Sequence, residues 1–259
     1  SKVIGEPDKA ADAGFAMQLA GAGIIDVGGE STRPGAQAVW EGDEIARTVP
    51  VIERLAKSGI IVSIDTRKAA VMEAAIGAGA AIVNDVTGLT HDPRGIEVVA
   101  ALGCPVILMH SPSAGDDPHG GAVKYRAGAL GGASIDLAVY DWLEARVAAC
   151  VAAGIDKSKI IVDPGIGFGK ALQDDTRIVN NLALFHGLGV PVLFGASRKR
   201  MVGALTDGAP VEQRLGGSVA LAQASIGQGA QIVRVHDVAE SVQAGRVWRG
   251  LRDAALVAG

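Results

Sequence analysis

The sequence is poor in the features that mark several large classes of protein. Cysteine occurs twice in 259 residues, at Cys104 and Cys150, far apart and in apolar surroundings. That excludes a disulfide framework or a thiolate metal spacing and predicts two buried free thiols in a reducing compartment. Excess positive charge is also missing, since 24 Lys and Arg stand against 28 Asp and Glu, a net charge of -4. The overall field therefore offers nothing to nucleic acid, and an anionic ligand has to be held by a local cluster. Long apolar runs are absent: uncharged stretches such as Val98 to Gly115 are broken by Gly, Pro, His and Ser, and Ser1 to Lys9 has no apolar signal core. The expectation is a cytoplasmic protein with no membrane and no nucleic-acid partner. What the chain does have is 49% hydrophobic residues, 20% charged residues and 36 Gly. Such a composition argues against disorder, a collagen-like chain or a coiled coil and predicts a compact globule.

Seven short apolar runs rich in β-branched residues recur: Gly23 to Gly28, Ile60 to Asp65, Ala80 to Asp85, Pro105 to His110, Ile160 to Pro164, Pro191 to Gly195 and Gln231 to His236. Each follows a turn containing Gly or Pro and is apolar on both faces, as strands of a helix-covered parallel sheet are. Helical periods lie between them. Ile45, Val49, Ile52 and Leu55 form one, with Pro50 expected to kink or split the helix, because it removes a backbone donor. Leu137, Tyr140, Val147 and Val151 form a second, and Ile178, Leu182 and Phe185 a third. An amphipathic helix over Pro7 to Leu19 precedes the first clear strand. With no shift of composition along the chain, residues 1–259 read as one domain.

A parallel βαβ series closes as a barrel or stays open, and in either case ligands sit at the carboxyl ends of the strands. A closed (β/α)8 TIM barrel needs eight strands, so its first strand is expected before or within Ser1 to Glu6, degenerate or missing.

The ends of these strands carry an unusual collection of polar groups. They are Asp26 with Glu30, Ser31, Thr32 and Arg33; Asp65 with Thr66 and Arg67; Asn84 with Asp85; Met109 with His110; Asp163; Ser197, Arg198 and Lys199; and Arg234 with His236. An uncompensated charge in a core costs several kcal/mol, so a shared site explains the set better than chance. Singly, each has a plainer reading: Asp65 or Asp85 alone could cap the next helix, Met109 and Phe168 could be core, and Arg33 a solvated loop residue. Together, Arg33, Arg198, Lys199, Arg234 and His236 suit a phosphate or diphosphate, while Asp65, Asn84 and Asp163 suit a flat heterocycle with adjacent N–H donors, such as a pterin or a purine edge. A nucleophile elbow, a zinc spacing and a G-x-G-x-x-G after the first strand are all lacking, so hydrolase, metalloprotease and dinucleotide oxidoreductase readings lack their parts.

The segments Ile25 to Gly35 (IDVGGESTRPG), Ser63 to Thr66 (SIDT), Asn84-Asp85, Asp163 to Lys170 (DPGIGFGK), Gly195 to Lys199 (GASRK) and Arg234 to Asp237 (RVHD) resemble the dihydropteroate synthase family, in its order. The resemblance covers essentially the whole chain. It implies an eight-stranded (β/α) barrel that joins 6-hydroxymethyl-7,8-dihydropterin diphosphate to 4-aminobenzoate, releasing diphosphate, in a homodimer that uses Mg2+. By resemblance, Asp65, Asn84 and Asp163 hold the pterin edge, Lys199 stands beside the ring carbonyl, and Met109 and Phe168 form its walls, with Gly195 in the same pocket. Arg234 and His236 match the diphosphate pair. Thr32 and Arg33 match a loop near the aminobenzoate and diphosphate, and Ser197 and Lys199 meet the aminobenzoate. Asp65, Lys199, Arg234 and His236 are the residues expected to carry catalysis. Corrinoid-dependent methyltransferase subunits share such a pocket, and a catalytically silent pterin-binding paralogue is a third reading; the Ser-Thr-Arg-Pro-Gly and Ser-Arg-Lys segments favour the synthase. The family's usual Asn ligand for the metal lies in a loop after the first strand that no segment here matches, so the metal ligands stay unassigned. A run of Asp116, Asp117 and His119 in the Gly-rich stretch Ser111 to Ser134 is read as solvated loop before it is read as a metal site.

Overall fold

A computed structural model describes residues 6–32, 36–111 and 133–257. All seven expected strands are present inside their predicted runs: β1 (Ile25–Gly28), β2 (Val62–Asp65), β3 (Ile82–Asp85), β4 (Val106–Met109), β5 (Ile160–Asp163), β6 (Leu193–Phe194) and β7 (Ile232–Val233). Helices alternate with them: α1 (Pro7–Leu19) comes before β1, and α2 (Glu41–Lys57), α3 (Ala69–Gly77), α4 (Gly95–Leu102), α5 (Ile135–Ala152) and α6 (Leu172–Asn180) follow β1 to β5 in turn. After β6 come α7 (Arg200–Leu205) and α8 (Leu215–Gly227), and after β7 comes α9 (Val238–Val257). The strand expected within Ser1 to Glu6 falls, apart from Glu6, outside the described residues, as do Arg33 and the Asp116, Asp117 and His119 run.

Strands β1 to β5 form one parallel sheet in sequence order, β6 and β7 pair in parallel, and a parallel bridge between Val162 and Val192 joins the two pieces. The last strand returns to the first. Arg234, just past β7, reaches Asp26 of β1 with Nε 2.7 Å from Oδ2, across 208 positions of sequence. The curved sheet thus brings its two edges together as a barrel does.

The period of two along each strand explains where the functional groups go. Ile82, Ile107 and Leu193, with Ile24, Ile161 and Ile232 against them, make a small apolar cluster drawn from five strands and the residue before β1, which plugs the barrel interior. Two residues further on, the same face carries Asp26, Asn84, Met109, Asp163, Gly195 and Arg234, one layer higher. On β2, Ser63 and Asp65 occupy the equivalent places, Ser63 lying opposite Asp26 and Asp65 opposite both Gly28 and Asn84. Met109 lies opposite Asp163.

The alternate positions, among them Val62, Ile64, Val83, Leu108 and Val162, face outward into the larger core against the helices. Fully burying side chains such as Ile64, Leu108, Phe185 and Phe194 stabilises the fold by about 1.5 to 3 kcal/mol each. Both thiols are buried in the fold and free of disulfides.

Two helix expectations need correction. α2 is not split at Pro50 but runs from Glu41 to Lys57 with Pro50 on its exposed face. On α5 the buried face is Ile135, Val139, Leu143, Val147 and Cys150, whereas Leu137 and Val151 point outward at 46% and 44% exposure; charged residues lie on both faces, Asp136 buried and Asp141 and Glu144 exposed, so its sequence does not fix the phase. The third period is buried as expected, with Ile178 on α6 and Leu182 and Phe185 on the short 3-10 stretch after it.

Candidate active site

The upper layer of the barrel interior is a continuous polar network. Asp26 stands at its centre: Oδ1 accepts from Ser63 Oγ at 2.5 Å, the Asn84 amide lies 3.3 and 3.4 Å from its two oxygens, and Arg234 Nε donates to Oδ2. Arg234 also reaches Asp65, Nη2 to Oδ2, at 3.3 Å. Asp163 Oδ1 accepts from the Gly165 N–H at 2.7 Å, which fixes the turn after β5. At Gly195 a Cβ would stand 3.9 Å from Asp163 Oδ2 and 3.6 Å from Arg234 Cβ, so glycine keeps that wall open while leaving the two charged groups adjacent. Lys199 donates to the Ile166 carbonyl at 2.5 Å and lies 4.6 Å from the centre of the Phe168 ring, a cation–π distance. Ser197 Oγ accepts from the His236 main-chain N–H at 3.1 Å and lies 3.0 Å from its Nδ1.

The structure therefore brings Asp65, Asn84, Met109, Asp163, Phe168, Gly195, Ser197, Lys199, Arg234 and His236 to one rim. Thr32 borders the same rim, sharing a small cavity with Asp65. Arg198 parts from the set in its pairing: with φ at +57°, its guanidinium turns to Asp237, Nε to Oδ2 at 2.9 Å. Asp85 and His110 also leave it. Asp85 accepts from the Thr87 N–H, the Thr87 hydroxyl and the Leu89 N–H at 2.6, 2.7 and 3.1 Å, holding its own loop. His110 meets Trp142 of α5 edge-on at 5.0 Å.

Burial and charge tune these groups in opposite directions. Burial, then the neighbouring Asp26 charge, raise the Asp65 carboxyl to about 7 against the pull of Arg234. Burial raises Asp163 as well, opposed by Lys199 and the Gly165 N–H. The Lys199 ammonium falls to about 8 through burial, with Asp163 opposing. Arg234 is held firmly protonated, first by Asp26. His236 is lowered by burial and then by Arg234, so it is a neutral imidazole at neutral pH. Among the described residues, the rim thus has one permanent cation, Arg234, and two groups, Asp65 and Lys199, that change charge near neutrality, a pattern typical of functional sites.

Several supporting residues are missing from the sequence-based assignment. Lys170, 2% exposed, donates to the Gly165, Phe168 and His110 carbonyls at 2.7, 3.2 and 3.4 Å and ties the loop after β5 to the end of β4. Gly165 lies against that junction with φ +70°, and a Cβ there would fall 1.9 Å from the His110 carbonyl oxygen. Arg214, at the start of α8, donates to the Arg198 and Ala209 carbonyls at 3.0 and 2.8 Å and so supports the loop carrying Lys199. Asp26 was recoverable from alternation, because it lies two positions after Ile24; the loop-binding roles of Lys170 and Arg214 leave no such pattern.

Among the described residues, no group of three or more His, Cys, Asp or Glu side chains converges as a metal site. The two carboxylates nearest the anion end, Asp26 and Asp65, are both engaged by Arg234. These side chains do not amount to a ligand set for Mg2+.

A parallel barrel whose strand ends converge on one polar rim is the architecture of a barrel enzyme. The chain belongs to the family of pterin binding enzymes, whose model matches residues 1–236. A dihydropteroate synthase of Bacillus subtilis is 44% identical over 219 residues, 84% of this chain and 71% of the relative. One from Escherichia coli is 42% identical over 235 residues, covering 89% and 79%. Among solved structures, a Xanthomonas albilineans dihydropteroate synthase with 4-aminobenzoic acid superimposes with a TM-score of 0.87 at 41% identity, over 95% of this chain and 85% of that one. A Yersinia pestis dihydropteroate synthase with a sulfonamide drug gives 0.88 at 40% identity, over 98% and 89%.

Proposed function

We propose that this chain is a transferase of folate biosynthesis that condenses 6-hydroxymethyl-7,8-dihydropterin diphosphate with 4-aminobenzoate to give 7,8-dihydropteroate and diphosphate. The observation that carries the reading is the joint arrangement of acceptors and a permanent cation on one rim: Asp65, Asn84 and Asp163 beside Arg234. A relative from Xanthomonas albilineans with 7,8-dihydropteroate bound shares this fold at a TM-score of 0.83 and 37% identity.

In this reading the carboxylates and the Asn84 amide meet the N–H edge of the pterin, with Met109 and Phe168 as its walls. Arg234 holds the diphosphate by charge and His236, neutral, by hydrogen bonding. The carbon–oxygen bond at the pterin methylene breaks and its electron pair leaves with the diphosphate. The 4-aminobenzoate nitrogen forms the new carbon–nitrogen bond and loses one proton. No protein nucleophile is needed: Arg234 stabilises the departing anion and the Asp65 carboxylate the developing positive charge, which is electrostatic catalysis. Holding both reactants in line contributes up to roughly 7 to 11 kcal/mol in well-oriented systems. By resemblance, Thr32, Ser197 and Lys199 meet the aminobenzoate end, as does Arg33, which lies outside the described residues. Mg2+ is implied by resemblance alone and takes no part in these steps. A single barrel domain, a homodimeric assembly and a cytoplasmic location complete the proposal, again from sequence and resemblance. Among the described residues, no helix is long and apolar enough to cross a membrane.

The test is release of diphosphate from the pterin diphosphate. The synthase reading requires release that depends on 4-aminobenzoate and yields a pteroate; methyl transfer to a corrinoid partner, or pterin binding without turnover, would replace it.

A further inference from the structure

Beside the pterin rim lies a second buried polar cluster that the reaction does not use. Glu30, Glu44, Arg67 and Lys68 have side chains only 5%, 1%, 6% and 13% exposed. The Lys68 ammonium donates to Glu30, to Glu44 Oε2 at 2.5 Å and to the Val39 carbonyl at 2.7 Å. Glu30 Oε2 also accepts from the Val39 N–H at 3.0 Å, while its Oε1 takes Nε and Nη2 of Arg67 at 3.0 and 2.7 Å. Burial alone would raise the Glu30 carboxyl, but Lys68, the Val39 N–H and Arg67 outweigh it and hold it at about 2. Both main-chain groups of Val39 are thus bound by one ion pair, whose acid lies nine residues earlier. Gly29 allows the close approach: a Cβ there would stand 2.9 Å from Glu44 Cγ.

The Lys68 carbonyl accepts from the Val71 and Met72 N–H groups at the start of its helix, but its side chain does nothing for that helix. Lys68 is the N-cap of α3, makes no capping hydrogen bond with its side chain, and sets a positive charge where the helix dipole disfavours one. The Ala69 N–H of that helix, on a buried residue, is satisfied instead by Asp92 Oδ2 at 2.9 Å. Lys68 also lies three residues after Asp65, and Glu30 and Glu44 line the small cavity shared by Asp65 and Thr32. One short connection therefore carries a pterin-edge carboxylate at its start and the tie to Glu30 and Val39 at its end.

We propose that Lys68, paired with Glu30, is a positioning residue for the reaction: it clamps the chain at Glu30 and Val39 and so sets Thr32 against the pocket for the 4-aminobenzoate half of the substrate pair. The inference rests on the synthase reading above and adds a residue to it. The cluster is buried, so salt screens it little.

Steady-state kinetics on Lys68→Met give the test. The clamp predicts a KM for 4-aminobenzoate raised about tenfold or more, as expected when charge-assisted hydrogen bonds are lost, with kcat and the KM for pterin diphosphate changed less than about threefold and most of the loss recovered by Lys68→Arg. Equal rises in both KM values, or a fall confined to kcat, would overturn it. Should Lys68→Met fail to fold, Lys68→Met/Glu44→Gln removes one charge of each sign and serves for the same measurement. Wild-type protein that releases no diphosphate would sink the synthase reading instead. Amide exchange would then judge the clamp: faster exchange in Lys68→Met across the peptide holding Ser31, Thr32 and Val39 supports it, and unchanged exchange refutes it.

Discussion

Asp65 and Asp163 on one side, and Asp85 on the other, end buried parallel strands in the same way yet do opposite things. Asp65 and Asp163 occupy inward positions: Asp65 meets Arg234 across the barrel mouth, and Asp163 gives one oxygen to the Gly165 N–H of its own loop while the other faces Gly195 at the end of the next strand. Asp85 follows the inward Asn84 by one residue, faces outward, and spends both oxygens on its own loop. His110 stands to Met109 as Asp85 does to Asn84. The contrast teaches that the chemistry of a barrel rim is assigned by the parity of a position along its strand, since one step moves a side chain from the ligand side to the helix side.

The strongest way to break the contrast is at Arg234, the one permanent cation among the described inward residues. Arg234→Ala leaves Asp26 and Asp65 facing each other and removes the diphosphate partner. We expect kcat/KM for the pterin diphosphate to fall about a thousandfold, the upper range for losing a charge-stabilising donor, in a steady-state assay. Next is the pH profile. Asp65, raised to about 7, must ionise to accept the pterin N–H groups, so kcat/KM rises with pH through about 7; Lys199, lowered to about 8, loses its charge above that, so it falls again. Asp65→Asn should abolish the acidic limb while leaving the alkaline one, a result read from the same assay over pH 5 to 10.

A smaller and different effect is expected on the outward side. Asp85→Ala orphans three donors and should lower stability by about 3 kcal/mol in urea unfolding, with KM values within about threefold of wild type. The pH dependence has a definite sign. Burial raises the Asp85 carboxyl from 3.8 to about 6, so its protonated form favours the fold: that contribution is complete below pH 3.8 and is lost as the pH rises through 6. Asp85→Asn should flatten this part of the stability profile.

Much of this was legible in the residues. The seven strand runs, the helix over Pro7 to Leu19 and the polar strand ends all follow from apolar runs and turn signals, because a buried parallel strand can hardly be written otherwise. The splitting of Asn84 from Asp85 was available from alternation. Other parts were hidden for physical reasons. The phase of α5 is ambiguous because apolar and charged residues occur on both its faces, and Pro50 is tolerated because it faces solvent. Arg198 sits among basic residues in sequence, yet a left-handed backbone at that residue and the Asp237 carboxylate turn it aside. Lys170 and Arg214 act on carbonyl oxygens of irregular loops, whose positions only the folded chain defines.

The central claim, that inward strand-end groups form one pterin pocket and outward ones do not, is tested most directly by calorimetry of a pterin binding to Asp163→Asn and Asp85→Asn, the same chemical change on opposite faces. Losing a charge-assisted acceptor predicts affinity weakened about thirtyfold in Asp163→Asn and within about threefold of wild type in Asp85→Asn. Equal losses in the two variants, or full affinity retained in Asp163→Asn, would contradict it.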